Sequence, residues 1–97
     1  MSSLPRPQDP DARVLVLSRD GCHLCEEALP TVRAEADRAG TRVEVVDIDT
    51  DPALRERFTY DVPVVIVDGR LLARYRVEAE ALRGALRRPR WLARLRR

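Results

Sequence analysis

The chain reads as an α/β domain. A four-stranded mixed sheet, element order βαβαββα and spatial strand order 2-1-3-4, should carry helices on both faces. Three observations predict it. Val14 to Leu17 and Val64 to Val67 are apolar at every position, as in strands covered on both sides. Between them, from Cys22 onward, the apolar period lengthens to that of a helix. After the second run comes Asp68-Gly69, a hairpin signal because both turn positions require positive φ.

Each element can be justified in order. Residues 1–12 carry three prolines and little that is apolar, so a disordered lead-in is expected there, followed by a domain over 13–88 and a basic tail over 89–97. Ser18 to Gly21 is the turn out of the first strand. In the helix that follows, Cys25, Leu29, Val32, Ala36 and Ala39 form one stripe, while Glu26, Glu27, Arg33, Asp37 and Arg38 take the other side. Pro30 inside this helix predicts a kink, and Gly40 a left-handed stop. Arg42 to Asp49 reads as the second strand, joined to the first by a right-handed crossover and therefore parallel to it. Asp51 caps a short helix with Pro52 at its first position, ending near Phe58.

Beyond the hairpin, the returning strand alternates. Leu71, Ala73 and Tyr75 should point one way and Arg70, Leu72, Arg74 and Arg76 the other, the arginines discouraging pairing at an open edge. Glu78 to Arg88 closes the domain as a helix buried through Ala81, Leu82, Ala85 and Leu86, and Pro89 ends it. The two fully apolar strands, first and third, belong in the centre of the sheet.

Composition narrows the function. The chain has 97 residues, enough for one domain with a modest core. Its formal charge of +2 is too small to indicate nucleic acid. All 18 basic residues are arginine, and six of them fall in the acid-free stretch from Arg87 to Arg97. No apolar run reaches membrane-spanning length, and the N-terminus has no apolar leader core. A soluble, cytoplasmic monomer is expected, with neither nucleic acid nor membrane as partner. In that compartment a lone cysteine pair points to transient chemistry or metal ligation rather than a permanent crosslink. A bridge across so short a loop would constrain little of the unfolded chain.

The two cysteines are Cys22 and Cys25, spaced as Cys22-His23-Leu24-Cys25 at the strand-to-helix turn. That placement is the mark of a thiol-disulfide site. The helical stripe puts Cys25 on the buried face and Cys22 one turn earlier, at the open N-terminal end. There a thiolate meets unpaired backbone N–H groups and the positive end of the helix dipole, which makes Cys22 the candidate nucleophile. Cys25 is placed to resolve a mixed disulfide. Zinc or iron-sulfur binding through Cys22, His23 and Cys25 would lack a second ligand pair, so no metal is expected.

With these pieces in register, the chain from about Arg13 to Arg88 resembles the thioredoxin-like three-layer fold in its minimal form, and most closely the bacterial glutaredoxin-like proteins. The resemblance is carried by the Cys22-to-Cys25 motif after the first strand, Pro30 five residues past the second cysteine, Val62-Pro63 before the third strand, and Val67-Asp68-Gly69 after it. It implies a cis-proline at Pro63, with the Val62 backbone pairing an extended substrate. It also implies that Arg19 supports the Cys22 thiolate from the position where glutaredoxins carry lysine. His23, at the first inner position of the motif rather than the second, would add to the same field if protonated. A disulfide-containing protein or glutathione would be the partner, with glutathione as candidate reductant and no tightly bound cofactor.

Departures from the family pattern accompany the matches. The first strand lacks the buried acid of thioredoxins. Asp61-Val62-Pro63 replaces the Thr-Val-Pro triplet of glutaredoxins, and Ala73-Arg74-Tyr75-Arg76 stands where their glycine turn would be. Asp61 brings negative charge to the place where anionic glutathione would dock, with Arg74 and Arg76 available to offset it. The expected function is a small thiol-disulfide oxidoreductase. The alternative is a non-catalytic binding module that uses its groove, or the amphipathic tail with Trp91, Leu92 and Leu95, for a partner.

Overall fold

The computed structural model describes residues 3–95. Its elements are β1 (Ala12–Ser18), α1 (His23–Ala39), β2 (Arg42–Asp47), a 3-10 turn (Ile48–Thr50), α2 (Pro52–Phe58), β3 (Val64–Val67), β4 (Arg70–Arg74), α3 (Ala79–Arg87) and α4 (Leu92–Leu95). The sheet runs β2-β1-β3-β4. β1 is parallel to β2 and antiparallel to β3, and β4 returns antiparallel to β3. The predicted α/β class, element order and strand order all stand, with the fully apolar strands β1 and β3 at the centre.

Why those two strands are central is visible in the core. Successive strand side chains alternate between faces, so β1 serves two clusters at once. Val14 and Val16 join Val65, Val67, Val32 of α1, and Leu82 and Leu86 of α3. Leu15 and Leu17 join Val64, Ile66, Ile48 and Phe58 of α2 on the opposite face. Every residue of β3 is buried. A polar residue on either face of β1 or β3 would therefore lose its water without gaining a partner.

The ends of the elements follow local chemistry. Gly40 closes α1 in the left-handed region at φ 73°, its N–H donating to the Ala36 and Asp37 carbonyls. Asp51 caps α2 by accepting from the Ala53 N–H. In the β3–β4 hairpin Asp68 and Gly69 both take positive φ, 51° and 82°.

Several expectations are corrected. The buried stripe of α1 is Cys25, Ala28, Val32, Glu35 and Ala36, with Ala39 exposed in the last turn. Glu35 is turned inward by the Arg83 guanidinium of α3, which donates to its carboxylate at 3.0 and 2.8 Å. Second, β2 stops at Asp47 rather than Asp49. The Asp47 carboxylate accepts from the Asp49 N–H at 2.9 Å and its carbonyl accepts from the Thr50 hydroxyl at 2.7 Å, which turns the chain and drops Ile48 into the core.

Third, the alternation along β4 is broken by an irregularity, for Val65 pairs with Ala73 while Ile66 pairs with Leu71. Leu72 is the extra residue, so it and Ala73 both pack on the α1/α3 side while Leu71 packs on the other. In α3, likewise, Ala81 is exposed and the buried positions are Leu82 and Leu86. Fourth, the segment ahead of the domain makes defined contacts where disorder was expected. Leu4 packs on the α2-side cluster, and the N–H groups of Gln8 and Asp9 donate to the Glu44 carboxylate on edge strand β2. Ala12 already belongs to β1 and is buried.

At the other end, Trp91 is exposed while Leu92 and Ala93 are half-buried. The final arginines of the basic tail, Arg96 and Arg97, lie outside the described residues. Among the described residues no helix is long and apolar enough to cross a membrane.

Candidate functional site

The dithiol is built where β1 gives way to α1. β1 ends at Ser18, and Gly21 turns the chain at φ 74°, a conformation that glycine adopts without steric cost. The Cys22 N–H then donates to the Arg19 carbonyl at 3.3 Å. Cys22 is the N-cap of α1, with extended backbone, and its Sγ accepts from the Cys25 N–H at 3.1 Å. A sulfur thus does the work that a serine or aspartate oxygen does at other helix starts.

The two cysteines differ in exposure. Cys25 is 1% exposed, whereas Cys22 is half-buried. Their sulfurs are joined, with the Cα atoms 5.2 Å apart. When the pair is reduced, negative charge on Cys22 is favoured by the same N–H groups and by the helix dipole, while Cys25 has no such donors and is shielded by the core. One sulfur is available for attack and its sheltered neighbour is within bonding reach.

Sheet register gathers the other candidates to this end of the domain. Leu17 of β1 pairs with Val64 of β3, so Pro63, one residue earlier, arrives beside the end of β1 from which the Cys22 turn departs. The Val62–Pro63 peptide bond is cis. Pro63 is fully buried, and Val62 packs on the α2-side core.

Arg19 occupies this end too, but in a different setting from the one expected. Its guanidinium is paired with Asp49 at 3.0 and 2.7 Å and reaches the Thr59 carbonyl and hydroxyl at 3.5 Å. The hydrogen bonds from Arg19 hold the Asp49 carboxyl below its usual range, and Asp49 in turn raises the guanidinium. The positive charge assigned to the thiolate is therefore largely answered by a carboxylate. His23 projects into solvent, its Nε2 3.9 Å from Glu27. Among the described residues no three His, Cys, Asp or Glu side chains gather as a metal site.

Two residues of the site escaped sequence reasoning. Asp49 was assigned to a strand, although three acids so close together, Asp47, Asp49 and Asp51, are a turn signal. Tyr75 was assigned to the alternation of β4. It lies beyond that strand at φ 67°, donating its N–H to the Pro63 carbonyl at 2.9 Å and its hydroxyl to Asp61 Oδ1 at 3.1 Å. Arg74 Nε stands 3.9 Å from the other Asp61 oxygen. A tyrosine in the left-handed region has no simple sequence signal.

Compared with known families, residues 13–87 match the model described as Glutaredoxin-like domain (DUF836). The chain belongs to this family. Among solved structures, this glutaredoxin-like protein is similar to the X. campestris protein XcR50, with 33% identity, a TM-score of 0.63, and 78% of this chain and 99% of that one covered. Its fold is also that of thioredoxin 1 from Thermosipho africanus, at 19% identity and a TM-score of 0.59 over 87% of this chain and 98% of that one. Glutaredoxin C1 from Populus tremula x tremuloides shares the fold at 21% identity and a TM-score of 0.53, with 79% of this chain and 78% of that one covered. A comparison with curated proteins finds no match. The glutaredoxin-like protein thus combines a thioredoxin-type fold with a Cys22–Cys25 pair at disulfide distance, an arrangement suited to thiol redox chemistry.

Proposed function

We propose that this glutaredoxin-like protein is a thiol-disulfide oxidoreductase. The observation that carries the reading is the asymmetry of the pair: the sulfur of half-buried Cys22 capping a helix, bonded to that of fully buried Cys25 one turn on.

In the reductive direction the Cys22 thiolate attacks one sulfur of a substrate disulfide. The substrate S–S bond breaks, one substrate sulfur leaves as a thiolate and takes up a proton, and a mixed disulfide forms on Cys22. Cys25, once deprotonated, attacks Cys22 Sγ and expels the second substrate thiolate. Two electrons have passed to the substrate, and the protein is left with the Cys22–Cys25 disulfide. A thiol reductant in excess, for which glutathione is the candidate, returns it to the dithiol. Val62 and Pro63 are assigned to holding the substrate strand, the Val62 backbone being the pairing group. The setting is the cytoplasm, where such a pair cycles rather than resting oxidised.

The test is turnover of a peptide disulfide by wild type, Cys22→Ser and Cys25→Ser. Wild type turns over, Cys22→Ser is inactive, and Cys25→Ser accumulates a covalent mixed disulfide visible by mass. Activity that survives Cys22→Ser would sink the proposal.

A further inference from the structure

Building on the dithiol reading, we infer that Tyr75 is a positioning residue that fixes the Asp61–Pro63 loop so that the Val62 backbone is presented to a peptide substrate. The contacts of Tyr75 fall on either side of Val62. Its hydroxyl holds Asp61 at 3.1 Å, one residue before, and its N–H holds the Pro63 carbonyl at 2.9 Å, one residue after. The Asp61 N–H donates to the Phe58 carbonyl at 2.9 Å, so the start of the loop is also tied to α2.

Val62 itself is different. Among the described residues, neither its N–H nor its carbonyl has a hydrogen-bond partner. Unpaired backbone groups between two fixed residues offer a short pairing edge of the kind an extended peptide completes. Fixing the flanks beforehand lowers the ordering cost of that pairing.

The conformation of Tyr75 supports the same assignment. Apart from Asp68 in the hairpin, it is the only non-glycine described residue at positive φ. A bulky side chain holds that conformation only where its surroundings over-determine it, and such positions gather at functional sites. The left-handed φ lets one residue aim its N–H at Pro63 while its ring reaches Asp61. The hydrogen bond to Asp61 also raises the phenol above its ordinary value, so the donor stays protonated throughout the physiological range.

The experiment compares two probes: a synthetic two-chain peptide disulfide, which has a backbone to pair, and hydroxyethyl disulfide, which has none. Tyr75→Phe removes only the hydroxyl. It should raise KM for the peptide by about three- to tenfold, the size of one hydrogen bond, leaving kcat and the hydroxyethyl disulfide rate unchanged. Asp61→Ala should reproduce this, whereas Asp61→Asn keeps an acceptor and should behave as wild type. Exchange of the Tyr75 amide, which is paired with the Pro63 carbonyl, should quicken in Tyr75→Phe and Asp61→Ala only. Unchanged peptide kinetics in both Tyr75→Phe and Asp61→Ala would overturn the inference, as would an equal loss on both probes. A wild type that reduces neither probe would instead remove the dithiol reading itself.

Discussion

Arg19 and Asp49 meet in a two-point ion pair, Nε to Oδ2 at 3.0 Å and Nη2 to Oδ1 at 2.7 Å. The pair joins the turn that carries Cys22 to the 3-10 turn after β2, and it sets a carboxylate against the cation expected to support the sulfur. Because the carboxylate already answers the guanidinium, Arg19→Gln should change the reaction of Cys22 with iodoacetamide by less than about threefold, as screened surface charges usually do. Asp49→Asn has the opposite design. It leaves the guanidinium unopposed and should quicken the alkylation of reduced Cys22 in mildly acidic buffer. If Asp49→Asn matches wild type, Arg19 has no electrostatic role at the sulfur.

Two glycines give a paired prediction on stability. Neither position would meet a heavy atom within 4 Å on gaining a Cβ, so the backbone alone decides the outcome. Gly69 sits at φ 82° in the hairpin, and Gly69→Ala should destabilise by about 1–2 kcal/mol. Gly84 lies inside α3, where Gly84→Ala should stabilise by roughly 0.5–1 kcal/mol through higher helix propensity and a less flexible unfolded chain. Urea midpoints of the two variants should move in opposite directions.

Phe58 links the core to the Asp61–Pro63 loop. Its ring is 2% exposed in the α2-side cluster, and its carbonyl receives the Asp61 N–H. Phe58→Ala should cost about 3–5 kcal/mol, a large share of the roughly 5–15 kcal/mol that holds a domain of this size. Phe58→Leu, which leaves most of the space filled, should cost less than about 1.5 kcal/mol. Denaturant unfolding measures both. If Phe58→Ala is tolerated within about 1 kcal/mol, the α2 side contributes less to the core than its burial implies.

What the sequence could disclose tracks the physics of each feature. The unbroken runs in β1 and β3, the Asp51 cap and the Asp68-Gly69 turn are local signals, and each appears where its residues place it. Cys22 and Cys25 were separable into open and sheltered positions because helical spacing alone puts them one turn apart. Features set by tertiary contact were not legible. Glu35 is inward because Arg83, far along the chain, meets it there, and periodicity scores a glutamate as outward. The extra residue at Leu72 depends on the register with β3, so alternation misassigned one face of β4. That Arg19 would be paired could not be read locally, because Asp49, its counter-charge, comes from another turn.

The Glu35–Arg83 pair makes stability depend on acid in a definite direction. Glu35 is 5% exposed, and Arg83 donates to both its oxygens at 3.0 and 2.8 Å, with Arg38 Nε at 3.6 Å. The hydrogen bonds from Arg83 first, and the charges of Arg83 and Arg38 after them, hold the Glu35 carboxyl below its ordinary value of 4.5. A carboxylate with a depressed folded pKa contributes stability that is complete above the unfolded value and is lost as pH falls through the folded one. Wild type should therefore keep a constant urea midpoint from neutrality down to about pH 5 and lose it progressively below, as protons bind the unfolded chain first. Asp9 and Asp49, also held low by their partners, add to the same slope. Glu35→Gln should be less stable than wild type at neutral pH, since it removes the buried one of Arg83's two carboxylate partners and leaves only Glu80, 2.8 Å away, yet show a shallower decline on acidification. The two stability curves should converge as pH falls through the depressed folded value of Glu35 and the carboxylate gains its proton in wild type. Parallel curves across that range would show that the pair does not couple α1 to α3 through its charge.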